Sequence, residues 1–126
     1  MQNKSKKRVL IVDDDPDILI VYKGGLEDYG RFEVSTFDDP EEALSNFKSD
    51  LYDCLIIDIR MPKMDGFQLY DKMKDIDNKV KVCFITAYEV NYEALRKVFP
   101  TLGLECFIQK PIEVSQLVRK INAELE

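Results

Sequence analysis

Short apolar runs and amphipathic stretches alternate along this chain. The runs are Arg8 to Val12, Phe32 to Phe37, Tyr52 to Ile57, Val80 to Ile85 and Cys106 to Gln109. The first, third and fourth each hold four consecutive apolar residues, Val9 to Val12, Cys54 to Ile57 and Val82 to Ile85, as strands buried on both faces do. Between them the spacing turns helical. Pro16 to Tyr29 places Ile18, Tyr22, Leu26 and Tyr29 on one face, and Gly30 ends the segment. Gly24-Gly25 interrupts it at about 1 kcal/mol per glycine relative to alanine; Gly25 shares the inward face, so close packing is the expected reason. Asp39-Pro40-Glu41-Glu42 opens a second helix with Ala43, Leu44 and Phe47 inward. Asp65 caps a third, Gly66 to Ile76, that buries Leu69, Tyr70 and Met73. A fourth spans Glu89 to Phe99 before Pro100 and Gly103 break it. The fifth, Glu113 to Leu125, carries Val114, Leu117, Val118, Ile121 and Leu125 on one stripe.

Five strands alternating with five helices predict a (βα)5 fold, a doubly wound five-stranded parallel α/β sheet with right-handed crossovers. The pattern fills residues 1–126 as one domain, with residues 1–7 as a basic, flexible flank and no output domain within the sequence.

In such a sheet, ligands bind beyond the carboxyl ends of the strands, where strand order reverses. Those ends hold Asp13-Asp14, Asp58, Thr86 and Lys110. A strand order of 2-1-3-4-5 sets the first and third strands side by side and brings the acids together. Clustered carboxylates repel, so at least one should bind its proton more tightly unless a cation relieves it. Carboxylate and carbonyl oxygens suit Mg²⁺, with Mn²⁺ as the alternative ion. Lys110 and Thr86 suit phosphoryl oxygens, and a carboxylate between a metal and a lysine is a nucleophile type that forms an aspartyl phosphate.

Composition narrows the reading. A net charge of -6 argues against a nucleic-acid surface; Lys4, Lys6, Lys7 and Arg8 read as a solvated flank of the first strand. Cys54, Cys83 and Cys106 fall in or beside apolar runs without metal spacing, as small buried hydrophobes of a reducing compartment do. No apolar stretch reaches membrane-spanning length, so no membrane role and a cytoplasmic location are expected. The chain has no histidine, which removes His as base, ligand or phospho-carrier.

Four motifs complete the picture: Val12-Asp13-Asp14-Asp15-Pro16, Asp58-Ile59-Arg60-Met61-Pro62-Lys63-Met64-Asp65-Gly66, Thr86-Ala87 and Lys110-Pro111. In this order, each at a strand end, they resemble the receiver domain of two-component response regulators, a flavodoxin-like, CheY-like phosphoacceptor fold, from about Arg8 to Leu125. The resemblance implies that Asp58 accepts a phosphoryl group from the phosphohistidine of a sensor histidine kinase or phosphotransfer protein. It implies Mg²⁺ on Asp14, Asp58 and the Arg60 backbone carbonyl, with Asp13 acting through water. Lys110 would bridge to the acyl phosphate and Thr86 would swing in to hydrogen-bond it. Phe107 sits at the switch-aromatic position, although a strand phenylalanine is plain core as often. Ala87 would leave room for phosphoryl access, and the Lys110-Pro111 bond would be cis. Arg60 and Tyr88 are bulky where the family tunes phosphoryl lifetime, which implies a long-lived phospho-form. The face of the fourth helix, fifth strand and fifth helix would signal to a downstream protein effector, the domain being a monomer or a phosphorylation-dependent homodimer. Val98-Phe99-Pro100-Thr101-Leu102 departs from the Ala-rich turn usual before that strand.

Other classes fit less well. An aspartate-nucleophile phosphohydrolase would show Asp-x-Asp after a strand and a cap insertion, whereas Ile59-Arg60 follows Asp58. A degenerate binding module would be expected to lose an acid, the threonine or the lysine. A nucleotide-binding domain would carry a Gly-rich loop after the first strand. Asp15 reads as an acid at the positive N-terminal end of the first helix, and Asp65 is assigned to helix capping, not to metal.

Overall fold

The computed structural model describes residues 6–88, 91, 93, 94, 97 and 107–125. The strands are β1 (Lys7–Val12), β2 (Phe32–Phe37), β3 (Cys54–Asp58), β4 (Lys81–Thr86) and β5 (Phe107–Gln109). The helices are α1 (Pro16–Asp28), α2 (Pro40–Ser45), α3 (Gly66–Ile76) and a C-terminal helix (Val114–Leu125). Glu93, Ala94 and Lys97 are helical; the rest of the expected fourth helix, its exit turn and Cys106 lie outside the described residues.

All strands pair in parallel, in the order β2-β1-β3-β4-β5. Alternate residues of each strand feed opposite layers. Val9 and Ile11 pack with Leu19, Tyr22 and Leu26 of α1 and with Leu117 and Ile121 of the C-terminal helix. Leu10 and Val12 pack with Ala43 of α2 and with Leu69 and Met73 of α3. Cys54 and Cys83 are fully buried in the sheet.

Two side-chain readings need correction. Leu19, not Tyr29, belongs to the buried face of α1; Tyr29 caps the helix C-terminus and is exposed. The chain turns away at Gly30, whose φ of 78° a side chain would resist, so the apolar stripe ends at Leu26. Arg8 is not simply solvated: it is half-buried, and its guanidinium reaches the Asp50 carbonyl at 2.8 Å and the Asp53 carboxylate at 3.5 Å. Gly25 does pack closely, since a Cβ there would fall 2.5 Å from Val114 Cγ2.

Candidate functional site

Register builds the site. Val12 stands opposite Ile57, so the residues that follow, Asp13 and Asp58, emerge side by side. Asp58 pairs with Ile85, and Thr86 with Gln109, which brings Thr86 and Lys110 to the same edge. Turn hydrogen bonds fix the loops: Asp13 N–H donates to the Phe37 carbonyl at 3.2 Å, Ile59 N–H to Ile85 at 3.0 Å, and Lys110 N–H to Thr86 at 2.8 Å. The Lys110-Pro111 bond is cis.

Carboxylate oxygens of Asp13, Asp14 and Asp58 all lie within 4.8 Å of one another. Asp13 and Asp58 are buried and Asp14 is exposed, so the cluster opens to solvent on one side. Asp13 Oδ1 accepts the Asp15 backbone N–H at 2.9 Å. Asp13 Oδ2 lies 2.7 Å from Lys110 Nζ but off the direction of a hydrogen bond, so no aligned donor satisfies this buried oxygen. Lys110 Nζ lies 3.7 Å from Asp58 Oδ2.

The Asp58 carboxyl is raised from 3.8 to about 7. Burial is the largest cause, and the Asp13 charge adds to it; Lys110 and the Arg60 backbone N–H oppose it. Repulsion among the acids alone would raise it, but desolvation at the end of a buried strand contributes more. Burial also pulls Lys110 down, yet the nearby Asp13 and Asp58 carboxylates, Asp13 foremost, together leave the ammonium above its ordinary value. A hard divalent cation suits the arrangement: the donors are all oxygens, one is buried without an aligned donor, and the cluster repels itself.

The other candidates surround this centre. Thr86 is buried, and its hydroxyl accepts the Tyr88 N–H at 3.2 Å. Ala87 is exposed beside it. The Arg60 guanidinium lies 4.4 Å from the centroid of the Tyr88 ring, so the two bulky neighbours of the site stack on each other. Phe107 is already inside, its ring 5.6 Å from that of Phe84 and nearly parallel. Asp15 and Asp65 are helix N-caps, and Asp65 forms a capping box with Gln68.

Gly66 has a role the sequence did not disclose. A Cβ at this position would sit 2.4 Å from the Asp58 carbonyl oxygen, so α3 starts directly against the backbone of the central acid. Lys63, at a φ of 73°, ties the same loop to Asp39 at 3.3 Å and Glu41 at 3.6 Å. Lys63 followed no periodic pattern and gave no signal beforehand.

A family model described as the response regulator receiver domain matches residues 9–122. The transcriptional regulatory protein PrrA of Mycobacterium leprae is 36% identical over 121 residues, 96% of this chain and 51% of that protein. An uncharacterized 14.6 kDa protein of Leptolyngbya boryana is 32% identical over 127 residues, 97% of this chain and 92% of that protein. A CheY-like response regulator receiver domain from Methanospirillum hungatei superimposes with a TM-score of 0.83 at 30% identity, covering 96% of this chain and 94% of that one. The chain spans about half the length of PrrA and of the response regulator SaeR of Staphylococcus epidermidis, which it matches at 33% identity over 114 residues, 90% of this chain and 48% of SaeR.

Proposed function

The chain belongs to the response regulator receiver domain family of two-component systems, and from that premise we propose that Asp58 is its phosphoacceptor. The observation that carries the reading is the Asp13, Asp14 and Asp58 cluster with the Lys110 ammonium set between Asp13 and Asp58. Asp14, Asp58 and the Arg60 carbonyl would hold Mg²⁺ directly, and Asp13 through water. The ion would supply charge neutralisation, both of the acids and of incoming phosphoryl oxygens.

Asp58 contributes the nucleophilic oxygen. A bond forms from that oxygen to phosphorus as the P–N bond of the donor breaks, and the donor ring, already protonated on its other nitrogen, takes the bonding electron pair and departs as neutral imidazole. The donor is a phosphohistidine outside this sequence, which has no histidine. Lys110 then exchanges its contact with Asp58 for one to a phosphoryl oxygen, and the Thr86 hydroxyl leaves the Tyr88 N–H to do the same. Ala87 keeps the approach open, while the stacked Arg60 and Tyr88 govern access by water and so the lifetime of the acyl phosphate. Phe107, to act as a switch with Thr86, would leave its packing on Phe84 in the resting protein and regain it on phosphorylation. The signal would pass from the fourth helix, β5 and the C-terminal helix to a protein effector or a second copy of the domain.

Phosphotransfer tests this directly. Label from a histidine-phosphorylated donor protein should move to wild type in Mg²⁺ and not to Asp58→Asn. Label that reaches both equally would place the acceptor elsewhere.

A further inference from the structure

β2 is an outer strand of the sheet, six residues long, and an outer strand offers its backbone to any strand that can pair with it. The Arg31 and Phe37 carbonyls accept the Lys7 and Asp13 N–H groups at 2.9 and 3.2 Å, so the odd-numbered residues face β1. Backbone polar groups alternate in direction along a strand, which turns those of Phe32, Val34 and Thr36 to the outer edge. At Val34, the middle of that edge, two side chains of α1 stand where a further strand would. Lys23 Nζ donates to the Val34 carbonyl at 2.6 Å, and Glu27 Oε2 accepts the Val34 N–H at 3.3 Å. The same Glu27 oxygen accepts from Lys23 at 3.0 Å, which closes the ring of contacts.

Helix stability does not explain this pair. Lysine before glutamate is the weaker order for residues four apart, and Glu27 lies in the last turn of α1, where the helix dipole disfavours an acid. We propose that Lys23 and Glu27 guard the edge of β2, occupying the Val34 N–H and C=O so that β2 of a second copy of this chain cannot pair there. Symmetry identifies that occupant. A two-fold axis at Val34 lays β2 antiparallel to its own copy, with Val34 opposite Val34 and Phe32 opposite Thr36, so the outward groups of both strands meet. Glu33 then falls opposite Ser35, and no like charges oppose the pairing. The guard is independent of the chemistry at Asp58.

The test removes both side chains in Lys23→Ala/Glu27→Ala, which raises the helix propensity of α1. Sedimentation across a concentration series, without phosphodonor, reads association, and hydrogen exchange reads the Val34 amide in dilute protein. The variant should dimerise at concentrations where wild type is a monomer, and its Val34 amide should exchange about tenfold faster, the scale of one hydrogen bond to a charged group. Adding Thr36→Pro, which removes one outward N–H and none that faces β1, should return the variant to a monomer. Lys23→Ala alone gives the same readings, to a lesser degree, should the double variant fold poorly. A double variant as monomeric as wild type, an unchanged Val34 exchange rate, or association that survives Thr36→Pro overturns the inference.

Discussion

Lys110 Nζ sits 2.7 Å from Asp13 Oδ2 and 3.7 Å from Asp58 Oδ2, so the lysine of the site leans on Asp13 and not on Asp58. Asp13 is fully buried and the Lys110 side chain is 13% exposed, so each is the other's main source of charge compensation. Lys110→Met would leave Asp13 buried and unpaired. The expected loss is about 3 kcal/mol in denaturant unfolding without divalent ions. Added Mg²⁺ should restore most of it, because the cation takes over the compensation. An equal loss with and without Mg²⁺ would contradict the assignment.

The raised Asp58 carboxyl makes stability depend on pH in a defined window. Its value in the folded state, about 7, lies above the 3.8 of an unperturbed aspartate, so folding favours the protonated form. That contribution is fully present below pH 4 and is lost as pH rises through about 7. Without Mg²⁺, Asp58→Asn should therefore gain stability over wild type between pH 5 and pH 8. The gain expected is on the order of 1–2 kcal/mol, since solvent at the mouth of the site screens part of the effect. Asp77, which the Asp50 N–H holds below its ordinary value, acts at lower pH and leaves this window clear. Paired melting curves at the two pH values measure the difference; a constant offset would show that Asp58 is ionised throughout.

Gly66→Ala should damage the site from behind. The atom a Cβ would meet is backbone, the Asp58 carbonyl oxygen at 2.4 Å, and backbone cannot step aside as a side-chain tip can. Overpacking of this kind costs about 1–3 kcal/mol. Phosphorylation should slow as well, because the displaced atom belongs to the residue proposed as acceptor. A variant that unfolds and reacts as wild type would mean that α3 starts farther from β3 than described.

Arg60 and Tyr88 should act together on the lifetime of the phospho-form. Their stacking at 4.4 Å couples the loop after β3 to the loop after β4. Arg60→Ala and Tyr88→Ala should each speed loss of the phosphoryl group several-fold. The double variant should be little faster than either one, since the pair is worth about 0.5–1 kcal/mol at an exposed position. Fully additive effects on the decay rate, followed by phospho-form mass, would show that the two residues work separately.

Much of this was legible in the sequence, for identifiable reasons. Strand identities and sheet order follow from short β-branched runs that alternate with amphipathic segments, and those signals survive any detail of side-chain packing. Asp13, Asp14, Asp58, Thr86 and Lys110 were placed because each ends a strand, and a parallel sheet gathers its strand ends at one edge. What escaped depends on geometry across elements. Gly66 read as a helix start, since closeness to the Asp58 carbonyl is a matter of distance between α3 and β3. The exposure of Tyr29 follows from where Gly30 turns the chain, which shortens a stripe that spacing alone would extend.

The central claim is that Asp58 takes up a phosphoryl group with the help of Mg²⁺ and its neighbouring acids. Intact mass after incubation with acetyl phosphate measures it most directly, on wild type and Asp58→Asn, with Mg²⁺ and with the ion chelated. Wild type should gain the mass of one phosphoryl group only when Mg²⁺ is present, and Asp58→Asn should gain none. An Asp58→Asn protein that gains the same mass at the same rate, or a wild type modified equally well without the ion, would contradict the account.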